Sequence, residues 1–367
     1  MQALHKAKVL IAGGGPVGLT AAIELCRRRF APRIIDPDMA VSPQSRALAV
    51  NPRTLDLLEP SGATEALLAA GHRVRRIQVR YNTQPLFQMK LGLVMHRFNF
   101  LLSLPQSKTE EILADTLRRH GGILERGAAL ESFRTTGPQI TASLNNGGTV
   151  LTDLLIGADG SHSIVRKTLG LGFPGESAEQ SFGLADVELD DWPFPWDQAV
   201  ATIYEDYVVA FIPMREGFGR FVSTRPDTMN LLPPDAKPRS VEWQAEFRIS
   251  YRQVETYQKG NVFLAGDAAH IHSPVGGRGM NLGIEDACWL AWLIEQGRSA
   301  DYSAYRHPVG AKVLKLTAQP TRLISSNSLS AKALRRWIIP YILGMEWVQG
   351  RILPSMLALD TPKPPWL

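Results

Sequence analysis

The first thirty-six residues constrain the fold more than any other part of the chain. An apolar run, Val9-Leu10-Ile11-Ala12, reads as a short buried strand. Gly13-Gly14-Gly15-Pro16-Val17-Gly18 follows, then a helical stretch through Arg29, then Arg33-Ile34-Ile35-Asp36. This is G-x-G-x-x-G inside a strand–helix–strand unit, with an acid 23 residues after the first glycine. Such a unit builds a parallel sheet and binds a dinucleotide. Gly13 makes the turn, Gly15 lets backbone approach a pyrophosphate, and Gly18 lets helix pack on strand. Pro16 and Val17 open a helix whose positive end faces the phosphates. Asp36 is set to accept hydrogen bonds from a ribose diol.

A second segment carries a comparable signal. Asn261-Val-Phe-Leu-Ala265 reads as a buried strand, and Ile284 to Ile294 reads as a helix. Between them lies Gly266-Asp267-Ala268-Ala269-His270-Ile271-His272-Ser273-Pro274-Val275-Gly276-Gly277-Arg278-Gly279-Met280-Asn281-Leu282-Gly283. An aspartate therefore stands at a strand end, and a glycine-rich turn opens a helix. Four glycines fall within residues 276–283, so a bulky ligand can lie against bare backbone. A third strand–turn–helix runs from Leu154-Leu155-Ile156 through Gly157-Ala158-Asp159-Gly160 to Arg166, with Ser163 as a helix cap.

These three elements, in this order and spacing, resemble the single-component (class A) FAD-dependent aromatic hydroxylases, typified by para-hydroxybenzoate hydroxylase. Ser45-Arg46-Ala47 with Pro52-Arg53-Thr54-Leu55, and Gln106 ahead of Thr109-Glu110-Glu111-Ile112-Leu113, match further stretches. The likeness spans about residues 8–295, continues more loosely to the end of the chain, and is nearest to the phenol and polyketide hydroxylase branch. Members of that branch often carry an added thioredoxin-like domain, which is not expected here because the chain ends at Leu367.

The resemblance implies FAD, with NADPH or NADH as transient co-substrate and O2 as oxygen source. Reduced flavin and O2 would form a C4a-hydroperoxide that oxygenates an aromatic ring. It implies cofactor contacts at Gly13, Gly15, Pro16, Val17, Gly18 and Asp36. Arg46 would approach the pyrophosphate and Gln106 the ribityl chain. Asp159 would serve FAD and NADPH, and Gly266 and Asp267 the ribityl–pyrophosphate region. Gly279 belongs to the same turn, and the Met280 and Asn281 amides would face the N1–C2 edge of the flavin. Pro274, Gly276 and Gly277 would present backbone to the reacting face. The expected fold is α/β: a discontinuous Rossmann-like FAD-binding domain (1–70, 101–175, 260–297), an inserted, mainly antiparallel β-sheet substrate domain (71–100, 176–259), and a C-terminal helical segment (298–367) with a break at Pro320.

No second G-x-G-x-x-G lies within a strand–helix–strand unit (the string Gly170–Gly175 follows a helix and opens none) and no C-x-x-C is present, which argues against a tandem disulfide reductase. Only Cys26 and Cys288 occur, both in helical stretches, so a zinc site or redox disulfide is not expected and no metal is assigned. The first strand begins near Lys8, leaving no room for a signal peptide, and a cytoplasmic protein is expected. Net charge is +5, and residues 298–340 hold eight Lys/Arg against one acid, Asp301. Solvated helix faces account for this most simply; a basic surface near anionic lipid or an acidic substrate is the sharper alternative, since Trp337-Ile-Ile-Pro-Tyr-Ile-Leu follows. Basic and aromatic residues do not alternate along a groove-reading element, so nucleic acid is not expected.

The expected partner is a small aromatic molecule, phenolic or polycyclic, bound by a monomer or homodimer. Trp192, Trp196, Tyr204, Tyr207, Phe211 and Phe221 are candidate pocket residues, with sheet packing as the competing account. His270 and His272 read as structural histidines in preference to general bases. A reductase of the same superfamily and a non-catalytic flavin-binding protein remain alternatives. The W-x-W-x-I-P motif of flavin halogenases is absent.

Overall fold

A computed structural model describes residues 4–42, 47–273, 277–325, 328, 334 and 338–367. The strand Leu4–Ala12 lies in the middle of a parallel core, with Thr149–Gly157 on one side and Pro32–Asp36 on the other. Val262–Leu264 extends the first side and Leu124–Arg126 the second, both in parallel. Val9, Leu10 and Ile11 have no exposed surface, as a strand covered on both faces requires. Two antiparallel strands, Leu130–Thr136 and Gln139–Leu144, continue the sheet beyond Thr149–Gly157.

Among the described residues the helices are α1 (Pro16–Arg27), α2 (Pro52–Leu58), α3 (Ala63–Ala70), α4 (Gln106–Arg119), α5 (Ile164–Thr168), α6 (Gly279–Glu295), α7 (Tyr302–Ser325), α8 (Ile339–Leu343) and α9 (Glu346–Met356). α1 and α6 pack into the same hydrophobic core as the parallel strands. The expected break at Pro320 is absent, because α7 runs through it. A proline removes one N–H from the ladder, and here the helix continues past the gap.

Among the described residues the second sheet has eight strands, and only the pairing of Gln198–Ile203 with Arg76–Tyr81 is parallel. Two 17-residue strands, Gly175–Asp191 and Lys237–Gln253, pair with each other through several bulges. His270–Ile271 pairs with the second of these, at Arg252 and Gln253. The chain therefore leaves the parallel sheet at Leu264, passes Asp267 and joins the other sheet within a few residues. The start of the expected β-rich segment 71–100 divides between two sheets. His72–Val74 joins a small sheet with Ala49–Val50 and Leu101–Ser103, and Arg76–Tyr81 joins the large one.

The C-terminal helix α9 docks on the edge strand Gln84–Lys90. Gln349 is buried, its Nε2 donates to the carbonyls of Gln88 and Leu343, and its Oε1 accepts from the Lys90 N–H. Leu353 and Leu357 pack with Met89, Leu91 and Val94. Among the described residues no helix is long and apolar enough to cross a membrane.

Candidate active site

The glycines of the first turn have separable jobs. Gly13 adopts φ +108°, and a Cβ there would meet the Ala158 carbonyl oxygen at 2.2 Å. A Cβ on Gly18 would fall 1.9 Å from the Gly13 carbonyl oxygen, so helix and turn touch only because both are glycine. Gly15 differs: a Cβ there would meet nothing within 4 Å. The protein itself does not need glycine at 15, and the open space at the start of α1 is what a pyrophosphate requires. Beside it, Asp36 Oδ2 accepts the Gly14 N–H at 2.5 Å.

The turn at Gly266 packs directly on this one. Gly266 has φ +60°, and Val17 Cγ2 lies 2.8 Å from its would-be Cβ. A Cβ on Gly283 in α6 would meet the same methyl group at 2.6 Å. Asp267 is exposed although Gly266, Ala268 and Ala269 are buried, so its carboxylate stands proud of a packed turn.

The third wall is the start of α6. Its amides at Gly279, Met280 and Asn281 precede the first intrahelical bond, from Leu282 N–H to the Arg278 carbonyl. They present donors and the positive end of the helix. Gly277 has φ +61°, and a Cβ there would meet Ala49 Cβ at 2.6 Å. The Asn281 side chain donates to the carbonyls of Ala49 (2.8 Å) and Gly277 (2.6 Å), and its Oδ1 accepts from the Asn51 N–H. That side chain ties the turn to the start of α2, a role the sequence reading did not assign.

A cavity of about 680 Å³ joins these walls. Gly15, Pro16, Val17, Gln106, Asp267, Gly277, Gly279 and Met280 line one side. Phe182, Leu184, Phe211, Val222, Phe247 and Ile249 of the antiparallel sheet line the other, and Met356 and Leu357 close one end. Gln106 Nε2 donates to Glu110 at 2.8 Å. Asp159 is not on the wall, although Ala158 and Gly160 are. Its Oδ2 caps α5, accepting the Ile164 and Val165 N–H groups, while Oδ1 is buried with no hydrogen-bond partner. Arg46, Pro274 and Gly276 lie outside the described residues.

The residues fit an FAD running from Asp36, past Gly15 and Asp267, to the start of α6. Residues 6–317 match the FAD binding domain family. The chain is 37% identical over 382 residues to 6-methylpretetramide 4-monooxygenase of Streptomyces rimosus, a match covering 96% of this chain and 68% of that protein. The structure of anhydrotetracycline hydroxylase from the same organism superposes with a TM-score of 0.79 at 27% identity, covering 98% of this chain and 77% of that one. The p-nitrophenol 4-monooxygenase of Pseudomonas putida DLL-E4 shares the fold, with a TM-score of 0.87 at 20% identity over 98% of this chain and all of that one.

The chain belongs to the FAD-dependent aromatic hydroxylases.

In this hydroxylase five of the six aromatics expected around the substrate do not line the cavity; only Phe211 does. Trp192 and Phe221 are buried core side chains that pack on Phe211, at 4.4 and 4.7 Å between centroids. Trp196 packs partly buried on the same cluster, and Tyr204 and Tyr207 stack on each other at 4.6 Å. The cavity wall uses Phe182 and Phe247 instead, which oppose each other across the two long strands and stack at 5.8 Å. Phe182/Leu184 and Phe247/Ile249 alternate with period two, a signal that placed them on one face but not on which face.

The two histidines of the turn are buried. His270 Nε2 bonds Asp286 Oδ2 at 2.6 Å, and the same oxygen accepts the Gly266 N–H at 3.3 Å. Arg306 completes the group through Asp286 Oδ1 and Glu285 Oε1, both at 2.7 Å. Burial alone would raise the Asp286 carboxyl, but Arg306 and His270 outweigh it and hold it below its ordinary value. Arg306 is thus no solvated surface cation; at 1% exposure it corrects that reading for one of the eight basic residues between 298 and 340. His272 lines the cavity, and its Nδ1 lies 3.0 Å from the Ser273 carbonyl. Burial first, and the charge of His270 next, push its pKa down to about 3. A neutral imidazole of that kind is a poor general base near pH 7. No group of side chains able to hold a metal occurs among the described residues.

Proposed function

We propose that this hydroxylase acts on a phenolic or polycyclic aromatic, with NADPH or NADH as electron source and O2 as oxygen source. The observation that carries the reading is the 680 Å³ cavity. It has the FAD-binding turns on one wall and the apolar face of the antiparallel sheet on the other. Bound FAD supplies the redox chemistry, accepting hydride and activating oxygen.

The protein supplies the rest. Asp36 accepts from the adenosine ribose, and the Gly15 turn and α1 receive the pyrophosphate. Asp267 accepts from the ribityl hydroxyls beside Gln106. The first amides of α6 donate to the flavin edge that gains negative charge on reduction. Phe182 and Phe247 flank a ring with apolar surface and exclude water. A panel of phenols and polycyclic aromatics, scored for NADPH consumption and labelled oxygen in the product, tests this. Substrate-stimulated NADPH oxidation with oxygen from O2 is expected. Turnover without O2 uptake would mark a reductase, and FAD binding without turnover an accessory protein.

The surface near the C-terminus supports the membrane-contact reading. Ile338, Tyr341, Ile342 and Trp347 are 43–72% exposed, and Arg351 lies over the Trp347 ring. Co-sedimentation with anionic vesicles, against neutral ones, is the corresponding measurement.

A further inference from the structure

Arg278 lies directly before the amides of α6, yet its side chain is not committed to that turn. It is 4% exposed, and its guanidinium faces the chain terminus. Nη2 donates to Asp360 Oδ1 at 2.8 Å, and Nη1 donates to the Ser355 carbonyl at 3.1 Å. The Asp360 carboxylate also accepts from Ser355 Oγ at 3.2 Å, and Lys312 Nζ of α7 donates to the Asp360 carbonyl at 3.0 Å. Met356 and Leu357, between these contacts, line the cavity. The same segment is anchored on the far sheet through Gln349.

We propose that the Arg278–Asp360 ion pair is a positioning clasp: through it the C-terminal segment fixes the turn that presents the α6 amides to the flavin, and balances the charge beside them. A buried guanidinium without a counter-ion is strongly unfavourable, so the pair holds turn and terminus together. Asp360 offsets the positive charge at the start of α6, although its carboxylate is shared with Lys312 Nζ at 3.7 Å. Without it, that charge adds to the helix end and favours negative charge on the flavin edge. Neither residue is assigned contact with substrate; both act through the turn.

The inference rests on the proposed FAD site, and the test separates the two. FAD is added to the deflavinated full-length chain, and its dissociation constant is read from fluorescence quenching. The midpoint potential of the bound flavin is measured alongside, with thermal melting as the check on folding. Asp360→Asn should weaken FAD binding on the order of tenfold, within the coupling range of contacting groups, and shift the midpoint potential upward. Arg278→Gln should weaken binding without the upward shift. The double variant should be no worse than the weaker single one, and Asp360→Glu should recover both parental values. Should Asp360→Asn not fold, Ser355→Ala, which removes one hydrogen bond to the same carboxylate, should give the same changes in smaller degree. Parental affinity and potential in the folded single variants, or strictly additive effects in the double, would overturn the clasp alone. A parent chain that binds no FAD would overturn the FAD site and the clasp with it.

Discussion

The Gly14 N–H donates to Asp36 Oδ2 across 2.5 Å, joining the first glycine turn to the end of the second parallel strand. Asp36 Oδ1 accepts the Asp38 N–H at 2.9 Å, so both oxygens are oriented by backbone. The carboxylate is held in place before any ribose arrives, which lowers the ordering cost of binding.

Asp36→Ala should therefore weaken FAD without abolishing the fold, and the parent should release FAD, not FMN, on denaturation. Only the AMP half of FAD carries a ribose for Asp36. Chromatography of the released flavin and an FAD titration check both points; FMN alone in the parent would remove the assignment.

The two glycines flanking the start of α1 should behave oppositely. Gly18→Ala puts a Cβ 1.9 Å from the Gly13 carbonyl oxygen and should lower stability by roughly 1–3 kcal/mol, the range for overpacking. Gly15→Ala meets nothing within 4 Å and should melt like the parent, yet bind FAD more weakly. Paired melting curves and FAD titrations read this. Equal FAD affinity in Gly15→Ala would show that the space is not used by a ligand.

Asp267→Ala should lose FAD while the fold persists, because the side chain is exposed on a turn otherwise buried. Losing hydrogen bonds to a bound polar group costs about 1–3 kcal/mol, or roughly 5–150-fold in affinity. Unchanged affinity would exclude Asp267 from the site.

Gly277→Val should uncouple the reaction. The position has φ +61°, and a Cβ would lie 2.6 Å from Ala49 Cβ, so both conformation and space forbid a β-branched side chain. A displaced turn would admit water. More hydrogen peroxide per NADPH is expected, measured by peroxide assay against product formed; parental coupling would count against a flavin-facing role for this turn.

His272 should make the folded protein acid-sensitive. Its pKa is down to about 3 when folded, against 6.5 for the free side chain. Below pH 6.5 the unfolded chain takes up a proton that the folded one refuses, so stability falls as pH drops toward 3. The full difference is on the order of 5 kcal/mol. His272→Leu should flatten that part of the stability–pH curve, and chemical denaturation at pH 7, 5.5 and 4 would reveal it. An unchanged slope would mean that the ring is not held neutral.

Local geometry was legible in the residues themselves. The strand, turn, helix and terminal acid around Gly13–Asp36 lie close together along the chain, and the need for glycine at 13 and 18 comes from contacts inside that unit or with the adjacent strand end. The Gly266–Asp267 turn and the start of α6 were readable for the same reason. Within the segment 176–259, expected to be β-rich, the structure contains strands such as Val208–Arg215 and Phe218–Ser223.

Only tertiary structure decided which side chains meet across long separations. Whether Phe182 and Phe247 or Phe221 faced the cavity depended on strand register: Phe221 opposes Ala185 on one face while Phe182 opposes Phe247 on the other, and a one-residue slip exchanges the faces. Arg306 counted as one more basic residue until α7 packed against α6 and buried it between Glu285 and Asp286. Arg278 and Asp360, 82 positions apart, have no pattern linking them along the chain. Sequence spacing encodes the repeat of a helix or strand, whereas partners across the core are chosen by how those elements pack.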